Sequence, residues 1–201
     1  MFDAILTLMT ASAALTLTLI GAHMAWGRRS SRREIAPWST VARDVDGRLL
    51  EQRHKDGSPA FMVLTSRLGV TVELRSEEDS TASALVLVPA TSHYLSITPR
   101  ADTPRSLRGV FGRPTMAHDA VYDTRFVIES GDPDWARGVL SAPARALHLE
   151  HPDLRVELCR GCLRLTHPRP TPEQLEAMAT LAAHFSKCLE GALEGKRAPL
   201  S

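Results

Sequence analysis

Residues 60–75, AFMVLTSRLGVTVELR, have the pattern of two β-strands joined by a tight turn. Apolar and polar side chains alternate on both sides of Leu68-Gly69, and β-branched residues are frequent, which is typical of half-buried strands. The glycine provides the backbone freedom that a tight turn requires. The sequence therefore predicts strands at residues 60–66 and 70–75.

Similar segments occur at residues 49–53, 84–88 and 94–98, and turn-forming sequences such as Asp56-Gly57-Ser58-Pro59 lie between the early ones. Several short strands at this spacing indicate an antiparallel sheet and not alternating βαβ units. Residues 100–114 are rich in Pro, Arg and Gly, which predicts an irregular connection. The domain can thus consist of two β-containing halves joined near residues 100–116.

The second half begins with a predicted strand at residues 122–129, and Asp132-Pro133 then has the pattern of a helix start. A hairpin follows, with Arg160-Gly161 as its two-residue turn. Thr171 and Gln174 have the spacing of a capping box at the start of the last helix. One face of that helix is apolar to about Leu193, so an amphipathic helix closes the domain.

Upstream of the strands, residues 4–26 form a run of 23 residues without a formal charge. A helix of that length reaches roughly 34 Å, enough to cross the hydrocarbon core of a bilayer. The arginine collar that follows predicts a cytoplasmic C-terminal side by the positive-inside rule, and tryptophans suit the membrane interface. The predicted membrane-interface residues are Trp26, Arg28, Arg29, Arg32, Arg33 and Trp38.

These patterns predict an α+β fold, in which an N-terminal transmembrane helix precedes an antiparallel β-rich domain closed by a C-terminal amphipathic helix. Residues 1–33 would be the anchor with its basic collar, and residues 34–201 would be a cytoplasmic domain at the inner membrane. The chain has only three lysines, and its positive charge is otherwise arginine, which indicates a GC-rich bacterial genome.

The charge balance limits the classes of partner. The chain has 24 basic and 23 acidic residues, and without the four collar arginines and Asp3 the domain keeps 20 and 22, so no nucleic-acid partner is expected. The expected partners are the lipid bilayer and an unidentified protein. Small residues recur every fourth position at Thr10, Ala14, Thr18 and Ala22, and this stripe allows a homodimer through the transmembrane helix.

The cysteines raise one alternative to a non-enzymatic binding protein. Two thiols on the hairpin and a His-x3-Cys pair on the last helix can complete a tetrahedral zinc site or a thiol-dependent site. The candidate ligands are Cys159, Cys162, His184 and Cys188. On a helical wheel His184 faces away from the apolar stripe, and the gap of twenty-one residues between Cys162 and His184 exceeds the usual finger spacing of roughly twelve to fifteen. Structural cysteines, or a disulfide between Cys159 and Cys162, are the other interpretations.

No catalytic or cofactor-binding residue is predicted elsewhere. The acidic residues near His118-Asp119 are explained in part as helix starts, and the sequence contains no Gly-rich phosphate loop, serine elbow or zinc-protease helix. The expected function is therefore membrane-anchored and non-enzymatic, with a domain that binds a protein or lipid partner.

The second half of the domain resembles known proteins, and this resemblance supports the same class of function, a membrane-anchored and non-enzymatic protein. The sequence Tyr122-Asp123-x-x-Phe126, the segment Ser130-Gly131-Asp132-Pro133, the hairpin and the closing helix resemble the C-terminal half of uncharacterised bacterial single-pass membrane-anchored proteins. The resemblance covers residues 120–192. It implies a membrane-tethered α+β domain without an established activity, and it carries no catalytic residue. The hairpin cysteines depart from the pattern, which weakens the metal interpretation.

Overall fold

The computed structural model describes residues 35–54, 57–77, 80–102 and 113–195. The stretch at residues 4–26, its small-residue stripe, Trp26 and the four collar arginines lie outside the described residues. The chain divides into two compact units, residues 1–37 and residues 38–201, and the second unit is the one described below.

Five α-helices and nine β-strands occur in the described residues. In chain order they are α1 (35–44), β1 (Arg48–Arg53), β2 (Pro59–Arg67), β3 (Val70–Ser76), β4 (Thr81–Leu87), β5 (Leu95–Pro99), β6 (Arg113–Thr115), α2 (Ala120–Arg125), β7 (Phe126–Ser130), α3 (Pro133–Val139), α4 (Ala142–Leu149), β8 (Arg155–Cys159), β9 (Cys162–Pro168) and α5 (Pro172–Gly195). A short 3-10 helix, Arg100–Asp102, follows β5.

The strands of the described residues form one antiparallel sheet in the order β1-β2-β3-β4-β9-β8-β5-β7-β6. The β8–β9 hairpin lies between β4 and β5, where Ala84 pairs with Leu165 and Ile97 pairs with Val156. Strands from before and after residues 103–112 thus share the same sheet. The turn of the hairpin has φ values of 49° at Arg160 and 78° at Gly161, as expected for a two-residue connection with positive φ at both positions.

The core lies between one face of the sheet and the helices. Alternate residues of the central strands are fully buried, as at Val72, Leu74 and Leu163, and α5 contacts β2, β3, β4 and β9 as well as α3 and α4. The predicted apolar stripe of α5 is buried, with Phe185 at its centre. The predicted capping box is also present, because Gln174 N donates to Thr171 Oγ1 and Thr171 N donates to Gln174 Oε1, at 3.3 and 2.8 Å.

Trp38 occupies the core and not the predicted membrane interface. Its side chain is 8% exposed, and its ring stacks on Phe61 of β2 with centroids 6.2 Å apart. Val41 of α1 and Val45, in the turn that follows α1, are buried on the same side, since residues three and four apart share one side of a helical turn. These apolar residues therefore face the core, and the surface that covers Trp38 is the sheet.

The strand predicted from Tyr122 onward begins later, at Phe126. Tyr122 lies in the short helix α2, whose first turn is capped by Asp119, with Oδ1 accepting hydrogen bonds from the backbone of Val121 and Tyr122 at 3.1 Å. This local side-chain cap overrides the β propensity of the aromatic and β-branched residues that follow.

The predicted fold class requires a correction. The α+β architecture and the closing amphipathic helix are as expected, but none of the helices in the described part of the chain is both long and apolar enough to cross a membrane. The longest of them, α5, has a buried apolar face and an exposed face with charged residues such as Glu173, Glu176 and Lys187. The described fold is thus a helix-covered antiparallel sheet without a transmembrane helix.

Candidate functional site

The sheet opens into a fork between β3 and β4. Their pairing runs from Ser76 opposite Ala82 to Glu73 opposite Leu85 and stops there, although β3 begins at Val70 and β4 ends at Leu87. Beyond this point the two strands follow different neighbours: residues 70–72 pair with β2, and residues 86–87 pair with β9. Two facing strand edges therefore border the opening.

A cavity of about 600 Å³ lies at the fork. The described residues that line it are Leu64, Gly69, Val70, Thr71, Glu73, Arg75, Leu85, Leu87, Cys162, Ser186 and Glu190. Ser186 and Glu190 belong to α5, which packs on the core face of the sheet. The opposite face contributes Leu64, Glu73 and Leu85, which lie side by side because Leu64 pairs with Glu73 and Glu73 pairs with Leu85. The cavity is thus lined from both faces of the sheet where β3 and β4 separate.

Leucines form the apolar wall of this cleft. Leu64 and Leu85 are half-buried, and Leu87 is 87% exposed, an unusually open position for a large aliphatic side chain at a strand end. Isolated exposed leucines are common on protein surfaces, but here one exposed and two half-buried leucines border one cavity. The wall offers apolar surface that a bound partner can remove from water.

The polar side of the cleft contains charges that already have partners. Arg75 forms an ion pair with Glu73 in which its Nε donates a hydrogen bond to the carboxylate. This hydrogen bond raises the pKa of the Arg75 guanidinium above its ordinary value. Glu190 pairs with Lys187 at 2.9 Å, and Ser186 is buried beneath the opening. The cleft therefore combines an apolar wall with a rim of compensated charge, which suits a ligand that has both apolar and polar parts.

The described lining residues include one thiol, that of Cys162, and two hydroxyls, those of Thr71 and Ser186, but no histidine that could serve them as a base. Glu73 is engaged with Arg75, so it is not positioned as a free general base. This arrangement offers apolar and polar contacts that can bind a ligand.

The four predicted metal ligands do not converge. Cys159 and Cys162 are register partners across the hairpin, and both thiols are free. Cys188 lies on α5 with its Sγ 3.2 Å from Ser141 Oγ, and His184 is half-buried on the same helix. Within the described ranges, no group of three or more His, Cys, Asp or Glu side chains is placed to hold a metal ion. The zinc site stays a prediction from the sequence spacing.

The acidic residues near His118 have structural roles. Asp119 caps α2, and Asp132 caps α3 by accepting from the backbone of Trp135 at 3.0 Å. Asp123 is buried and accepts hydrogen bonds from two backbone N–H groups of residues 117 and 119, at 2.8 and 3.2 Å. His118 itself is exposed and has a φ of 58°. Asp119 and Asp123 therefore order the segment before β7, and Asp132 orders the start of α3 after it, where its Oδ2 also lies 3.9 Å from His93 Nδ1.

A buried polar pair was missed from the sequence. His148 of α4 is fully buried, with Nδ1 2.6 Å from Tyr122 Oη and Nε2 2.9 Å from the carbonyl oxygen of Leu154. Burial lowers the pKa of His148 to about 4 and raises the pKa of Tyr122. Because the ring is enclosed by Phe126 and Phe185, the pair has no route to a substrate in this conformation. It is a satisfied core network, and the cleft remains the candidate site.

Comparison with known proteins adds information on the fold. No family model and no curated protein matches this sequence. Among solved structures, the crystal structure of the mycobacterial trehalose monomycolate transport factor A, TtfA, is similar, with a TM-score of 0.52 and 14% sequence identity over 75% of this chain and 90% of that chain. At this identity the similarity establishes a shared fold and does not extend to site residues.

Proposed function

We propose that this chain is a non-enzymatic, lipid-associated binding protein of a bacterial membrane, and that the cleft at the β3–β4 fork takes the apolar part of an amphiphile. The observation that carries the proposal is the leucine wall at an opening in the sheet, where Leu87 is 87% exposed. The fold shared with a transport factor for trehalose monomycolate supports the lipid-associated class. The resemblance of residues 120–192 to membrane-anchored proteins supports the location.

The composition of the cleft supports an amphiphile over a fully polar ligand. Full burial of one exposed leucine side chain is worth about 1.5–3 kcal/mol, so Leu87 together with Leu64 and Leu85 can contribute several kcal/mol to binding. The measured affinity reflects only the part of this free energy that exceeds the entropic cost of immobilising the ligand. The Glu73–Arg75 pair and Glu190 lie at the same opening, where they can contact a polar head group.

A protein partner is the second candidate, because the fork also exposes strand edges. Among the described strands, residues 70–72 of β3 pair only with β2, and residues 86–87 of β4 pair only with β9. An extended segment of a partner can add to such an edge through main-chain hydrogen bonds. In this case the side chains of that segment would pack against Leu64, Leu85 and Leu87.

Photo-crosslinking tests the lipid proposal in the full chain. The protein is mixed with phosphatidylcholine vesicles that contain a phospholipid with a diazirine in its acyl chain, and the crosslinked residues are mapped by mass spectrometry. We expect crosslinks at Leu64, Leu85 and Leu87, and a several-fold loss of crosslinks at Leu64 and Leu85 in Leu87→Asp, because a charge in the apolar wall disfavours the acyl chain.

Val121→Asp is the matched control, since Val121 is an exposed apolar residue on α2, outside the cleft lining. It should leave crosslinking at Leu64 and Leu85 unchanged. Equal crosslinking in wild type, Leu87→Asp and Val121→Asp would refute the cleft as the lipid site. If the lipid probe does not crosslink to the cleft of the wild type at all, the lipid proposal fails, and strand addition by a protein partner is the candidate that remains.

A further inference from the structure

Two thiols face each other at the end of the β8–β9 hairpin. Cys159 and Cys162 are register partners that flank the turn Arg160-Gly161. Directly opposed residues of antiparallel strands have Cα atoms about 4.5–5.5 Å apart. A disulfide spans Cα separations of about 4.4–6.8 Å, so the backbone already has a spacing that a disulfide can bridge.

The turn that carries these thiols is fixed in place. Gly161 O accepts a hydrogen bond from Val88 N at 2.9 Å. A Cβ at Gly161 would lie 3.1 Å from Val88 O and 3.3 Å from Ala90 Cα, so the backbone after β4 packs closely on the turn. The register that places Cys159 opposite Cys162 is therefore held by contacts outside the hairpin.

The three cysteines differ in their surroundings. Cys159 is exposed, and Cys162 is half-buried at the cleft. Cys188 lies instead against Ser141 between helices. A solvent-borne reagent thus meets Cys159 first, and the nearest second thiol across the hairpin is Cys162.

We propose that Cys159 and Cys162 form a reversible thiol–disulfide site that reacts with low-molecular-weight disulfides. The thiolate of Cys159 attacks one sulfur of the small disulfide, the S–S bond breaks, and one small thiol leaves with a proton. The thiolate of Cys162 then attacks Cys159 Sγ in the mixed disulfide and expels the second small thiol, which takes the other proton. The cysteine pair loses two electrons, and the small disulfide gains them.

This inference is independent of the proposed lipid binding, because it depends only on the hairpin geometry and the accessibility of the thiols. It applies equally to a cytoplasmic and to an external domain. The redox potential of the compartment decides whether the dithiol or the disulfide is populated, but it does not decide whether the two thiols can form a disulfide. Exposed disulfides of this kind are the labile ones, which suits a reversible site.

The test uses the reduced full chain, oxidised glutathione, an acid quench, alkylation of the remaining thiols and peptide mass spectrometry. In wild type we expect a disulfide between Cys159 and Cys162, an alkylated Cys188, only a low level of retained glutathione, and full reversal by dithiothreitol. Cys162→Ser removes the second thiol, so the reaction should stop at glutathione on Cys159. The retained glutathione should then exceed that of wild type by about tenfold or more, since the intramolecular step is lost.

Cys188→Ser is the matched control and should behave as wild type. Glutathione retained on Cys159 of wild type at the level of Cys162→Ser would overturn the proposal, because Cys162 would then not resolve the mixed disulfide. A wild-type protein whose Cys159 and Cys162 react no faster than Cys188 would overturn it as well. The serine variants change side chains at partly exposed positions, and urea unfolding of each verifies that they are folded.

Discussion

Tyr122 Oη and His148 Nδ1 lie 2.6 Å apart in the core, and they join helix α2 to helix α4. The other ring nitrogen of His148 is 2.9 Å from the carbonyl oxygen of Leu154, which can only accept a hydrogen bond. Nε2 therefore carries the proton, Nδ1 accepts, and the Tyr122 hydroxyl donates. The neutral imidazole satisfies the Leu154 carbonyl, the Tyr122 hydroxyl and both of its own ring nitrogens. In the imidazolium, Nδ1 would also carry a proton, so two donors would face each other at the Tyr122 O–H.

The first prediction concerns pH. Burial lowers the pKa of His148 from 6.5 to about 4, so between these values the unfolded chain binds a proton that the native chain does not. The free energy of unfolding should fall as pH decreases through this window, by about 3 kcal/mol in total from this group. Urea unfolding of wild type and His148→Gln at pH 7 and pH 4 checks it, because the variant lacks this titration. Parallel losses of stability in the two proteins would contradict the prediction.

The second prediction concerns the hydrogen bond itself. Tyr122→Phe keeps the ring that packs on Phe126, with centroids 4.7 Å apart, but removes the donor to His148 Nδ1. A buried acceptor is left without a partner, which should cost about 1–3 kcal/mol of unfolding free energy. The double variant with His148→Gln should lose less than the sum of the two single losses, since both remove the same interaction. Strict additivity would show that the two residues are not coupled.

The third prediction concerns the start of α5. Thr171 Oγ1 accepts from Gln174 N, and its own N–H donates to Gln174 Oε1. Thr171→Ala removes this cap and should lower the free energy of unfolding by about 1 kcal/mol. Thr180→Ala is the control, because Thr180 lies within the same helix and alanine has the higher helix propensity. Thermal or urea unfolding should show a loss for the first variant and no loss for the second.

Features that depend on local chemistry were predictable from the sequence. The strands at residues 60–66 and 70–75 follow from alternation, the hairpin follows from Arg160-Gly161, and the start of α5 follows from Thr171 and Gln174. In each case the signal lies within a few residues, so tertiary contacts are not needed to read it.

Features that depend on distant contacts were not predictable. Alternation gives the strands but not their order, so the position of the β8–β9 hairpin between β4 and β5 and the fork at β3–β4 were both missed. Tyr122 and His148 are 26 residues apart, and no pattern links them before the fold exists. Trp38 has the amphipathic character of an interface residue, and only the presence of Phe61 shows that it is buried.

The last prediction uses two glycines in opposite surroundings. A Cβ at Gly47, where the chain passes from α1 to β1, would lie 2.7 Å from Val63 Cγ1 and 2.9 Å from Leu64 O. Gly47→Ala should therefore cost about 1–3 kcal/mol, because the buried Val63 and the β2 backbone must shift.

Gly191 is the matched control. It is exposed within α5, and a Cβ there meets no atom of the described residues within 4 Å. Gly191→Ala should raise the free energy of unfolding by about 0.5–1 kcal/mol, since alanine loses less backbone freedom in a helix. Opposite signs in urea unfolding would confirm that the close approach at Gly47 excludes a side chain. A neutral Gly47→Ala would show instead that α1 and β2 can separate at no cost, and that the contact with Val63 does not fix the passage into β1.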